Sequence, residues 1–225
     1  MRSMGECKMS LSRSALGVNG SAAEVLPAGN DLKTARSRGR VRGSLIRALI
    51  DTYETDHGER AHGRLLADLS AESRTICLQG IMESGWYPQR AFVELAWATW
   101  RRLGPEGCID LAYRSQTRHL QRLRRLVNRA SGPQALVLCT AKAWRRYHDT
   151  GRVRIHELLD DRSTISIDEN PAILEPGYAE AVLGAVFALV RMGGTSRVSG
   201  TITRLPPEQA LLEISWEHND GQEQG

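Results

Sequence analysis

The side chains able to do chemistry are plentiful in this 225-residue chain, but their spacing excludes most of the reactions they could support. His57, His62, His148, His156 and His218 are scattered, and the five-residue step from His57 to His62 does not put both rings on one helical face. Cys7, Cys77, Cys108 and Cys139 form no C-x-x-C pair and no Cys/His pair at metal-ligand spacing. Three of the four lie in apolar-periodic segments, which predicts buried, reduced thiols and a reducing cytoplasm. The stretch "GTSRVSG" (194–200) has serines but lacks the strand-to-helix turn that exposes a nucleophile. Glu72 and Glu83 make no carboxylate pair, and Asp160-Asp161 reads as a solvated turn. No catalytic residue, metal site or enzyme activity is expected.

Two glycine- and arginine-bearing features remain. Gly193 and Gly194, followed by Gly200, could cradle a phosphate, but such loops use the backbone N–H groups at the start of a helix. These glycines follow a helix, so they are read as its C-terminal cap and the entry to a hairpin. Arg114, Arg118, Arg122, Arg125 and Arg129 fall near one face of a helix, and no acidic residue occurs between Asp110 and Asp149. That stripe could meet nucleic-acid phosphates or a protein partner. Without a helix-turn-helix signature, the solvated or partner-facing reading is favoured and nucleic acid is the alternative. The formal charge of +4 does not strengthen it, because residues 1–42 carry +5 and the rest of the chain −1.

The elements that would hold these residues follow from period and punctuation. Residues 1–40 are rich in Ser, Gly, Ala and Arg and are predicted to be a disordered basic tail, with a second disordered stretch at 220–225. From Val41 to Gly58 the apolar residues recur about every 3.6 positions, predicting a helix. Further helices are predicted over 59–69, 70–82 (with Ser70 as N-cap), 84–104 (Pro88 in its first turn, Gly104 as its stop), 107–130 and 133–151. After Gly151 the period changes to two, giving strands in "RVRIHEL" and "STISIDE", an apolar helix in "PGYAEAVLGAVFALVRMGG", and strands in "RVSGTITRL" and "ALLEISW". The fold class is α+β: an N-terminal helical subdomain followed by a β-β-α-β-β four-stranded antiparallel sheet, forming one domain over 41–219. The longest apolar run, Ala181 to Val190, is about half the length a bilayer demands, so no membrane association is expected.

The stretches "GSLIRAL" (43–49), "HGRLLADLS" (62–70), "GWYPQRAFVEL" (85–95), "AWRRYHDTG" (143–151) and "MGGTSRVSGTITRL…ALLEISW" (192–216) carry a resemblance. Residues 42–217 resemble a Myxococcales family of unknown function, related to the wider heme-NO-binding-like and vinyl-reductase-like group. The resemblance implies helices joined to a four-stranded antiparallel sheet with an intervening helix. In its heme-binding branch a histidine on a long helix ligates iron and a Tyr-x-Ser-x-Arg motif early in the sheet holds the propionates. His119 occupies a comparable place, but the first strand reads Arg152-Val153-Arg154-Ile155-His156, and Tyr113 to Thr117 ends in Thr where Arg belongs. His119 is a ligand only if heme is present, and no cofactor is expected.

A ligand pocket is predicted between helices and sheet, walled by Trp86, Tyr87, Phe92, Trp97 and Trp144. The function expected is non-enzymatic small-ligand sensing or protein interaction in a bacterial regulatory system. The first alternative is a nucleic-acid-associated regulator using Arg114 to Arg129, and the second is a heme-based gas sensor. A cytoplasmic protein working with an unknown partner, a small ligand or a second copy of itself completes the expectation.

Overall fold

The computed structural model describes residues 39–121 and 132–218. Arg122, Arg125 and Arg129, Cys7, the tail through residue 38 and the C-terminal residues from 219 lie outside them. The fold is mixed α+β.

The predicted first helix starts two residues late. Arg40–Arg42 form a short strand, β1, paired antiparallel with a second strand, β2 (Trp86–Pro88), in the register Val41↔Tyr87. Pro88 is the reason: proline disfavours helical geometry in the residue before it, so the chain stays extended through Tyr87 and begins its helix at Gln89. Helix α1 (Gly43–His57) then buries Leu45, Ile46, Leu49, Ile50 and Tyr53 along one face. Helices α2 (Glu59–Ala67) and α3 (Ala71–Leu78) follow, and the Ser70 side chain accepts a hydrogen bond from the Ser73 amide as N-cap of α3.

Helix α4 (Gln89–Gln121) is broken at Gly104, where φ is 75° and Pro105 restarts the helix. Helix α5 (Pro133–Tyr147) opens on its proline, ends four residues before Gly151, and presents Leu136, Val137, Thr140 and Trp144 to the interior. Strands β3 (Arg152–Leu158) and β4 (Arg162–Asp168) come next. A 3₁₀ turn (Pro171–Leu174) leads into α6 (Tyr178–Met192), and strands β5 (Thr195–Leu205) and β6 (Gln209–His218) finish the chain. The four strands form an antiparallel sheet in the order β3-β4-β6-β5. The helical part therefore contains a two-stranded sheet that the periodicity does not reveal, because three-residue strands are too short to show a period.

Helix α6 is apolar nearly all round, as a helix between two layers has to be. One side packs on α4 and another on β5. At Gly184 a Cβ would lie 2.3 Å from the Ile109 carbonyl oxygen, so no side chain fits where α6 crosses α4. In β6 the alternation Ala210, Leu212, Ile214, Trp216 faces inward, opposite Ile165 and Ile167 of β4. Each of these large aliphatic side chains contributes about 2 kcal/mol by leaving water. Gly193 and Gly194 end α6, and Gly194 takes φ 87°, turning the chain directly into β5. The cap reading of that glycine pair is the observed one.

Candidate functional site

A cavity of about 110 Å³ lies between the helices and the sheet. Leu45 and Leu49 from α1, Phe92, Ser115 and Leu120 from α4, Thr140, Trp144 and Tyr147 from α5, and Val182, Val186 and Leu189 from α6 surround it, with Val153, Ile165 and Ile167 from the sheet. Among the described residues no Asp, Glu, Lys or Arg lines it. His148 lies in its wall, stacked on Trp144 with ring centroids 3.9 Å apart and planes 12° from parallel.

Behind His148 is a buried polar cluster assembled from distant parts of the chain. The Tyr178 hydroxyl, at the start of α6, lies 3.1 Å from His148 Nδ1. It accepts hydrogen bonds from Gln89 Nε2 at 2.8 Å and from Asn170 Nδ2 at 3.3 Å. Gln89 Nε2 also donates to Asn170 Oδ1 at 3.0 Å, and the Thr150 hydroxyl donates to Gln89 Oε1 at 3.1 Å. The Trp144 indole N–H donates to the Thr150 carbonyl at 2.8 Å. Gln89, Asn170 and Tyr178 are at most 1 % exposed. Burial pushes the His148 imidazole down to about 3, against the opposing pull of Asp149, and the ring is neutral at ordinary pH. Burial also pushes the Tyr178 phenol well above its usual range, against the Asn170 and Gln89 hydrogen bonds.

Of the five aromatic residues predicted as pocket walls, Phe92 and Trp144 line the cavity. Trp86 lies on β2 with the Arg42 guanidinium 4.2 Å from its ring centroid, because β2 points away from the sheet layer. The Tyr87 hydroxyl accepts from the Met82 amide at 2.9 Å, and Trp97 carries Arg101 4.7 Å over its ring. The arginine stripe is in part neutralised: Arg114 pairs with Asp56 at 2.6 Å and Asp110 at 2.9 Å, and Arg118 pairs with Asp56 at 3.2 Å. His119 is half-buried, 3.3 Å from the Tyr147 hydroxyl and outside the cavity wall. Cys108 is buried and Cys77 partly so, with burial pushing both thiols up. Cys139 is exposed, contrary to expectation, because it sits on the outward side of α5 next to the exposed Leu138. Among the described residues no group of three or more His, Cys, Asp or Glu is placed to hold a metal ion. Nor is any helix among them long and apolar enough to cross a membrane.

Sequence spacing could not have assembled Gln89, His148, Thr150, Asn170 and Tyr178, which are up to 89 positions apart. The signal available was indirect: Tyr178 brings a hydroxyl to the start of an otherwise apolar helix, and a buried hydroxyl requires partners.

No family profile and no curated protein matches the chain in sequence. Solved structures match it in fold. An Fe(II) unliganded H-NOX protein from K. algicida superposes with a TM-score of 0.62 at 10% identity, covering 80% of this chain and 98% of that one. An H-NOX protein from S. oneidensis in the Fe(II)NO ligation state gives 0.59 at 12% identity, covering 79% and 99%. This likeness is one of fold. It agrees with the wider heme-NO-binding-like group and does not bear on a restriction to Myxococcales.

The residues of this cavity do not fit a heme. Its volume is well below the roughly 300–1,000 Å³ of small-molecule sites, and the histidine on α4 is not in its wall. The junction from α5 into β3 reads His148-Asp149-Thr150-Gly151-Arg152 and does not supply the Tyr-x-Ser-x-Arg motif. Three of its side chains are engaged elsewhere: His148 with Tyr178, Thr150 with Gln89, and Arg152 with Glu169 at 3.2 Å.

Proposed function

We propose that this domain is a non-enzymatic sensory module that takes up a small ligand in the cavity between its helices and its sheet. The observation that carries the reading is the cavity itself: uncharged, lined from every layer of the fold, and closed at one end by an ordered polar cluster. A ligand there touches α1, α4, α5, α6 and the sheet together, so its binding energy bears on how all of them pack. The output would pass to a partner protein or a second copy of the domain in a cytoplasmic regulatory system.

The test is a benzene titration followed by methyl NMR. Shifts at Val182, Val186 and Leu189 that Ala185→Phe abolishes are the expected result; no shift at any lining methyl overturns the reading.

Heme-based gas sensing is the second reading, and the fold comparison favours it, since the matched structures are H-NOX proteins. Titrating the reduced protein with hemin separates the two. A Soret band that His119→Ala removes would establish heme and displace the first reading. The absence of a band leaves the cavity to a ligand bound without heme.

A further inference from the structure

The polar cluster fixes a proton, and the proton defines a ligand. The Ala172 backbone amide can only donate, and it donates to Asn170 Oδ1 at 3.2 Å, which makes that atom the acceptor and Asn170 Nδ2 the donor. Gln89 Nε2, bonded to the same Oδ1, is likewise the donor end of its amide, as the Thr150 hydroxyl at Gln89 Oε1 requires. Both amide nitrogens converge on the Tyr178 oxygen, so that oxygen accepts twice and its own hydrogen is left for His148 Nδ1. Nδ1 is therefore unprotonated, and a neutral imidazole in that arrangement carries its hydrogen on Nε2. Nε2 makes no hydrogen bond among the described residues and is not one of the fully enclosed unpartnered atoms, and the ring lies in the cavity wall.

We infer that His148 presents Nε2–H to the cavity as its ligand-recognising donor, selecting an uncharged molecule with an apolar body and one hydrogen-bond acceptor. The inference rests on the cavity being the ligand site. Charge of either sign is disfavoured: among the described residues no ionic side chain lines the wall to compensate a charged ligand, and desolvating one without compensation is prohibitive. Size follows from volume. A cavity of about 150 Å³ lined by aliphatic and aromatic side chains accommodates benzene, so about 110 Å³ suits roughly four to six non-hydrogen atoms. Small cyclic ketones and small aldehydes belong to this class. Of the other polar side chains of the wall, the Thr140 hydroxyl already donates to the Val137 carbonyl and Tyr147 meets His119, while Ser115 and Gln116 lie on α4.

Cyclopentanone, its hydrocarbon isostere methylenecyclopentane, and cyclopentylammonium make a discriminating set at the upper end of that size, titrated into the full chain by methyl NMR. The ketone is expected to bind roughly two- to tenfold more tightly than the hydrocarbon, the worth of one neutral hydrogen bond, and the ammonium not at all. In His148→Phe, which keeps a flat ring over Trp144, the preference should vanish while the hydrocarbon binds as before. Equal binding of ketone and hydrocarbon to the wild type, or tighter binding of the ammonium, overturns the role of His148 and leaves the cavity as the ligand site. Binding of neither neutral probe removes the cavity reading as well. A readout independent of the variant is the long-range ¹H–¹⁵N correlation of the imidazoles. His148 should show the Nε2–H form, unchanged from pH 8 to pH 5; an Nδ1–H pattern or titration near 6.5 overturns the inference.

Discussion

Two polar constellations in this molecule are built from similar numbers of residues and have opposite consequences. On the outside of α4, Arg114 and Arg118 meet Asp56 and Asp110 in geometry as short as 2.6 Å. Inside, Gln89, Asn170, Tyr178 and His148 carry no net charge and meet at 2.8 to 3.3 Å. The arginine side chains retain 36 % and 48 % exposure, so water competes for every contact they make. The inner cluster has no such competitor, and each of its bonds is indispensable once the chain is folded. Distance does not rank these two sets; access to water does.

The contrast predicts a descending series of effects. Asn170→Ala removes the acceptor of the Ala172 amide and of Gln89 together with a donor to Tyr178, and should cost about 3 kcal/mol in a denaturant titration. A value under 1 kcal/mol would mean that the cluster is hydrated. Next comes acid sensitivity. His148 is held neutral with its folded value at about 3, whereas in the unfolded chain it takes up a proton near 6.5. The unfolded state therefore binds the proton first: this contribution is intact above about 6.5 and is lost as pH falls from there toward 3. Between pH 7 and pH 5 the loss should be about 2 kcal/mol, and His148→Phe should flatten that part of the profile. Asp56→Asn, which deprives both arginines of a partner, should cost less than about 1 kcal/mol, and 0.5 M salt should mask most of it. Smallest of all should be the salt dependence of association with duplex DNA in a filter-binding titration. Arg114 and Arg118 are occupied by carboxylates, and a steep slope would restore the nucleic-acid alternative.

The same contrast explains what could be read from the sequence. Periodicity found the cores of α1, α5 and α6 and the strands of the sheet, because in each a repeated face is buried and repetition is visible along the chain. Phe92 and Trp144, two of the residues named as walls, lie on those faces and border the cavity. Trp86, Tyr87 and Trp97 do not border it, since size says that an aromatic ring needs cover but not which layer provides it. The arginine stripe stood out because one helix displays it at regular steps, while its carboxylate partner Asp56 comes from a different helix. The recognition histidine was passed over as one of several scattered rings. Its neighbours come from α4, the 3₁₀ turn and α6, and only the fold makes them adjacent.

Strand β1 links two parts of the site. Val41 pairs with His148, the Asp149 amide donates to the Arg40 carbonyl, and the Arg40 side chain returns to the Asp149 carboxylate at 2.8 Å. The Gln89 amide in turn donates to the Gly39 carbonyl. Four residues after Val41, Leu45 lines the same cavity. The recognition ring and another part of the wall are therefore fastened to one short run of backbone, and neither can shift without loading the other. Amide exchange should accordingly register Val41, His148 and Gln89 as a single opening event, with one protection factor for all three.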